Sequence, residues 1–213
     1  MRRGVSHAQL KQDLYVLYKL DNKKNGYFVE FGATNGKQIS NTYLLEKAFG
    51  WTGIVAEPSP FWHAELRRNR NCIIETKCVW KRSGEHLQFL VSQSSPELAT
   101  IESFRNNDHH KEFRAQNATL FDVETISLNE LLSTHSAPRI IDYLSVDTEG
   151  SELDILEAFD FTKHTPRILS VEHNHIQTQR EQLRELLEAR GYVREFAFLS
   201  DFDDWYYHPD LVS

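Results

Sequence analysis

Acidic side chains stand at or beside the ends of four apolar stretches, where a carboxylate can hold hydroxyls, cations or a proton. Glu30 follows Tyr27, Phe28 and Val29; Glu57 follows Ile54, Val55 and Ala56; Asp147 follows Leu144, Ser145 and Val146; Glu172 follows Leu169, Ser170 and Val171. Gly32 and Gly36 come directly after the first of these stretches. Glycine accepts positive φ and has no Cβ, which suits a turn where backbone approaches a ligand. A carboxylate such as Glu30 beside that turn repels phosphate and welcomes a cation or hydroxyls. Glu57 lies about 20 residues beyond Gly36, the offset at which an acidic side chain grips ribose hydroxyls in a nucleotide-binding βαβ unit. Taken by themselves, the glycines also fit a plain tight turn, and Glu57 fits a carboxylate that caps the helix after Pro58.

Positioning these residues requires strands that alternate with helices. The spacing predicts an N-terminal helix over 5–20, a first strand ending near Glu30, a helix over 40–49, a second strand over 51–57 and a helix over 61–69. A third strand is expected over 72–79 and a further one over 86–91. Residues 92–122, rich in Ser, Asn, His and Arg, are longer than a routine connection and read as a lid or substrate loop. Regular structure resumes with a strand over 123–127 and a short helix over 128–132. Strands over 139–147 and 166–172 follow, each leading to a helix, over 152–159 and 178–190. Two aromatic stretches, 194–199 and 204–208, read as a terminal antiparallel pair. The alternation implies an α/β fold, one domain over 1–213 (with 1–25 as helix and linker), whose mainly parallel sheet carries helices on both faces. In such sheets ligands bind at the carboxyl ends of the strands, where all four acidic residues fall.

Composition narrows the partners. The chain is 40% hydrophobic and 26% charged, a globular balance, and its apolar runs are too short to span a bilayer. No apolar segment follows Met1-Arg2-Arg3, so the cytoplasm is the expected compartment. A formal charge of −7 argues against nucleic acid as the main partner. The basic run Arg67, Arg68, Arg70 reads as a solvated helix end. Cys72 and Cys78, placed in one strand, read as buried thiols rather than a disulfide framework or zinc site.

Three motifs together resemble the FkbM-type methyltransferases: Val29-Glu-Phe-Gly-Ala-Thr-Asn-Gly36, Glu57-Pro-Ser-Pro60 followed by Leu66 and Asn69, and Val146-Asp-Thr-Glu-Gly-Ser-Glu152. The resemblance runs from about Gly26 to Glu172. It implies a Rossmann-like class I methyltransferase fold with a seven-stranded sheet and an antiparallel C-terminal strand, S-adenosylmethionine as cofactor, and methyl transfer to a hydroxyl of a small molecule or carbohydrate. On that basis Glu30, Gly32, Ala33, Asn35 and Gly36 would lie near the methionine part, Glu57 with Pro58 at the ribose, and Cys78 and Val79 beside the adenine. The residues agree on one point: this cofactor carries an ammonium, a sulfonium and two ribose hydroxyls but no phosphate. A nicotinamide dinucleotide would need a further glycine after Gly36, where Lys37, Gln38 and Ile39 stand. A nucleotide-sugar oxidoreductase and a catalytically silent binding module of the same fold are the alternatives.

The acceptor hydroxyl must lose a proton, which calls for a base or a metal. Asp147, Glu149, Glu172, His173 and His175 are the candidates. Asp147, Glu172 and Asn174 offer hard oxygen ligands for Mg²⁺ or another divalent cation, an arrangement similar to that of catechol-type methyltransferases. Without a metal, His173 would be the base; a third possibility is that residues 172–175 form a loop capping the next helix. His109, His110 and His208 read as surface histidines, and Trp205, Tyr206 and Tyr207 as core aromatics.

Overall fold

Strand alternation in a two-faced sheet decides where every strand-end carboxylate points. The computed structural model describes residues 6–212; Val5, where the predicted first helix begins, lies outside the described residues. The helices are α1 Gln12–Lys19, α2 Tyr43–Phe49, α3 His63–Asn69, α4 Lys111–Arg114, α5 Leu128–Thr134, α6 Glu152–Glu157 and α7 Gln177–Glu188. The strands are β1 Tyr27–Phe31, β2 Thr52–Ala56, β3 Ile73–Glu75, β4 Cys78–Trp80, β5 His86–Ser92, β6 Thr100–Ile101, β7 Ala118–Ser127, β8 Ile140–Val146, β9 Thr165–Glu172, β10 Val193–Glu195 and β11 Asp203–Tyr207.

Seven strands form the main sheet in the order β10-β11-β9-β8-β1-β2-β3. All neighbours are parallel except β11, which runs antiparallel to both β9 and β10. The chain therefore winds outward in two directions from the β1/β8 pair, and the crevice between their carboxyl ends is the expected ligand position in an open sheet. This is a Rossmann-like α/β fold.

Successive residues of β1 serve opposite faces. Val29 and Phe31 join Ile54, Leu131, Leu144, Ile155 and Leu183 in a core shared with α5, α6 and α7. Phe28 joins Val16, Leu45, Val55, Leu66 and Tyr143 in a second core against α1, α2 and α3. Local chemistry sets the helix ends: Ser127 Oγ accepts from Glu130 N at 3.2 Å at the start of α5, and Gly50 closes α2 with φ of 70°.

The strand expected over 72–79 is two strands in two sheets. The Glu75 carboxylate accepts from the backbone N–H of Thr76 at 2.8 Å and Lys77 at 2.9 Å, bending the chain away from the ladder. Cys72 thus precedes β3, whereas Cys78 belongs to a second sheet ordered β4-β7-β5-β6. The lid expected over 92–122 is likewise folded rather than loop alone: it contains β6, α4 and the first half of β7, which pairs with β5 from Ala118 onward. Trp80, Phe89, Val91, Ile101 and Val123 give that sheet its own small core.

The predicted solvated helix end is also corrected at Arg70, which is 3% exposed. Its guanidinium bonds Glu30, Glu46, Ser40, Thr42 and the Gly36 carbonyl. A buried carboxylate pair supplies the compensation without which that charge could not leave water.

Candidate active site

The turn after β1 is forced into contact with the end of β8. Gly32 has φ of 66°, and a Cβ there would sit 2.3 Å from the Asp147 carbonyl oxygen. Gly36 has φ of 76°, and a Cβ there would meet Leu66 Cδ1 at 2.5 Å. Only glycine fits either position. Between them Thr34 donates its N–H to Glu57 Oε2 at 2.8 Å, while Ser59 N–H donates to Glu57 Oε1 at 2.8 Å. The carboxylate is thereby fixed at the β2 end with a lone pair free on each oxygen.

A cavity of about 330 Å³ opens over these strand ends, within the size range of small-molecule sites. Its wall includes Phe31, Gly32, Thr34, Glu57 and Pro58 from the main sheet and Cys78, Val79, Phe89 and Ile101 from the second sheet. Asp147, beside Gly32, lines it too, as do Glu149, Glu172 and Asn174, with His109, His110 and His175 also on the wall.

Asp147, Glu149 and Glu172 converge so closely that one oxygen from each lies within 4.8 Å of the others. Asn174 stands on the same wall, and its amide nitrogen donates to Glu149 Oε2 at 3.1 Å, a bond that does not engage its amide oxygen. The second sheet braces Glu149 from outside: Thr100 Oγ1 donates to its carbonyl at 2.8 Å, and Arg114 pairs with its carboxylate while forking onto Asp108. Neither Arg114 nor Asp108 carries a motif; they sit in the polar stretch that gives only a weak helical pattern.

Several expected site residues lie off the cavity. Glu30 faces the α1–α3 side, where it accepts from Asn41 N–H at 2.6 Å and from Ser40, Thr42 and Arg70. Alternation with Val29 and Phe31 sends it there. Ala33 is buried in the second core. Asn35 shapes the turn by accepting from Lys37 N and Gln38 N at 3.0 and 2.9 Å. His173 is 1% exposed and points opposite to Glu172, with Nε2 4.0 Å from Asp204. Burial pushes its imidazole down to about 4, and its place outside the lining separates it from any acceptor there. His208 packs on Tyr192 with ring centroids 5.2 Å apart. Trp205 and Tyr206 are core residues, and Tyr207 lies under Lys19.

Burial is the main cause that raises the site carboxyls. It pushes Glu57 up to about 7. Burial, then the Glu152 charge, takes Asp147 to about 7, and burial, then Asp147, takes Glu149 to about 8. Glu172 is raised by burial and then by Asp147. Between the ordinary value of 4.5 and about 8, these carboxyls therefore hold more protons folded than unfolded, and together they outnumber His173, which shifts the other way. Stability should fall as pH rises through that window. Denaturant midpoints measured across it check the sign, and a midpoint that climbs with pH would contradict it.

No curated protein matches the chain. Among solved structures, the precorrin-6y C5,15-methyltransferase from Geobacter metallireducens GS-15 is similar over 97% of this chain and 90% of its own, at 13% identity and a TM-score of 0.47. The family model of the methyltransferase FkbM domain matches residues 30–194, which run from the end of β1 through the second sheet and all three convergent carboxylates to the start of the terminal pair. With most of its length so matched, this chain belongs to the FkbM-domain methyltransferases.

Proposed function

We propose that the protein transfers the methyl group of S-adenosylmethionine to a hydroxyl oxygen of a small molecule or carbohydrate. The observation that carries this reading is that one cavity is lined both by a glycine turn with Glu57 and by three convergent carboxylates. The residues present fit the cofactor. Glu57 keeps a lone pair on each oxygen for the ribose hydroxyls, Gly32 lets backbone approach closely, and Cys78 and Val79 offer an apolar border for the adenine. Glu30 serves the fold through Arg70 rather than the cofactor.

When bound, S-adenosylmethionine supplies an electrophilic methyl carbon, whose bond to sulfur breaks as the bond to the acceptor oxygen forms, leaving S-adenosylhomocysteine. The chain's own task is to orient the hydroxyl and take its proton. Asp147, Glu149 and Glu172 stand where that proton must go, and carboxyls raised toward neutrality are stronger bases than ordinary ones. Arg114 and Asn174 hold Glu149 in place for this work. The second sheet covers the cavity and restricts water.

The same three oxygens, with the Asn174 amide oxygen beside them, are hard ligands of the kind Mg²⁺ takes. S-adenosylhomocysteine formation with a hydroxylated acceptor, assayed with and without chelator, tests both points. Undiminished turnover in chelator is expected. Turnover that vanishes and returns with Mg²⁺ would move proton removal to a bound cation. Cofactor binding without any product would leave a silent module.

A further inference from the structure

The cavity wall has an unusual charge balance. Among the described residues, six on the wall carry carboxylates, Glu57, Glu97, Asp147, Glu149, Glu172 and Asp201, and none is a lysine or arginine. One guanidinium does approach Glu149, but its bonds are already made. Arg114 is 1% exposed, and it donates through Nε to the Leu98 carbonyl and through both terminal nitrogens to Asp108 and Glu149. With four of its five N–H groups engaged and the side chain buried, it offers an incoming anion no accessible donor.

The imidazoles do not reverse the balance. His175 faces Asp201 at 3.5 Å. Burial, then the His109 ring 4.0 Å away by centroid, pushes the His110 imidazole down. A wall of this sign accepts a cofactor with an ammonium and a sulfonium against one carboxylate. It repels phosphate.

We infer that the methyl acceptor bears no anionic group: the site takes neutral or amino-bearing hydroxyl compounds and rejects sugar phosphates, nucleotide sugars and carboxylated acceptors. This rests on the methyl-transfer reading above and deepens it. It also places the reaction in a sequence. If the acceptor is a sugar, a glycosyl transfer or dephosphorylation must release it from its phosphate before methylation.

The full chain, incubated with methyl-labelled S-adenosylmethionine and a cell extract of polar small molecules and glycans, provides the test. At about pH 8, above the ordinary imidazole range, acceptors are separated on an anion exchanger before reaction. Label should enter the unretained acceptors, with retained ones lower on the order of 100-fold, as like-charge juxtaposition implies. Label confined to the retained fraction would overturn the inference while leaving methyl transfer intact. No label in either fraction would overturn the methyl-transfer reading and this inference with it. Glu97 and Asp201 are exposed, so the Glu97→Lys/Asp201→Lys double variant should keep its fold and raise retained-fraction labelling relative to unretained by about tenfold. An unmoved ratio in a folded, active variant would count against charge as the selector.

Discussion

Alanine in place of Glu57 is expected to weaken S-adenosylmethionine binding by at least about 100-fold. Hydrogen bonds to a charged acceptor contribute about 1.5–3 kcal/mol each, and two ribose hydroxyls would lose theirs together. The substitution also strips the Thr34 and Ser59 N–H groups of their acceptors, so a stability loss of about 1–3 kcal/mol should accompany it. Glu57→Gln separates the two effects, because one carbonyl oxygen and the side-chain shape survive while the charge and the second acceptor are lost. Titration calorimetry beside thermal melts reads both quantities. An alanine variant that binds with wild-type affinity would remove Glu57 from the cofactor site.

Arg70→Met is expected to be the most destabilising single change, at about 3–5 kcal/mol, because it leaves buried Glu30 without its cation and Glu46 with Lys47 alone. In a chain of this size that corresponds to a fall in Tm of roughly 10 °C or more. The loss should extend to the ligand turn, since Arg70 also holds the Gly36 carbonyl at 3.3 Å. Glu30→Gln provides the contrast with a cofactor role. It should lower stability in denaturant with little change in calorimetric affinity for S-adenosylmethionine, and a large loss of affinity at unchanged stability would put Glu30 back at the cofactor.

The strands that build the crevice were legible because burial on both faces makes them near-continuous apolar runs, bounded by glycine or proline. β1, β2, β8 and β9 all have that character, and their acidic ends could be read in order. The face each carboxylate takes was not legible to the same degree. Glu30 lies within β1, so the pleat turns it to α3, whereas Glu57 lies one residue past β2 and is aimed by Thr34 and Ser59. His173 shows the same effect beside Glu172. Arg70 looked solvated because its partners, Glu30 and Glu46, are 40 and 24 residues away in sequence. The bend after β3 escaped notice because a side-chain to backbone bond from Glu75 makes it, with no glycine or proline to mark it. Residues 92–117 gave only weak periodicity, since their order comes from Arg114 and Asp108 rather than from an apolar stripe.

The parallel pairing of β4 with β7, Cys78 to Thr125 through Trp80 to Ser127, makes the second sheet a unit with a closed stem. The chain leaves the main sheet after β3 and comes back at α5, and these two points are brought together by the stem itself. Everything beyond it can be lengthened, shortened or exchanged at the modest entropic cost of a different loop, while β1, β2 and their cofactor turn stay as they are. Thr100 and Arg114, however, brace Glu149 from within this segment, so a cover grafted between Trp80 and Thr125 would have to carry both contacts to leave the main sheet's carboxylates where they are.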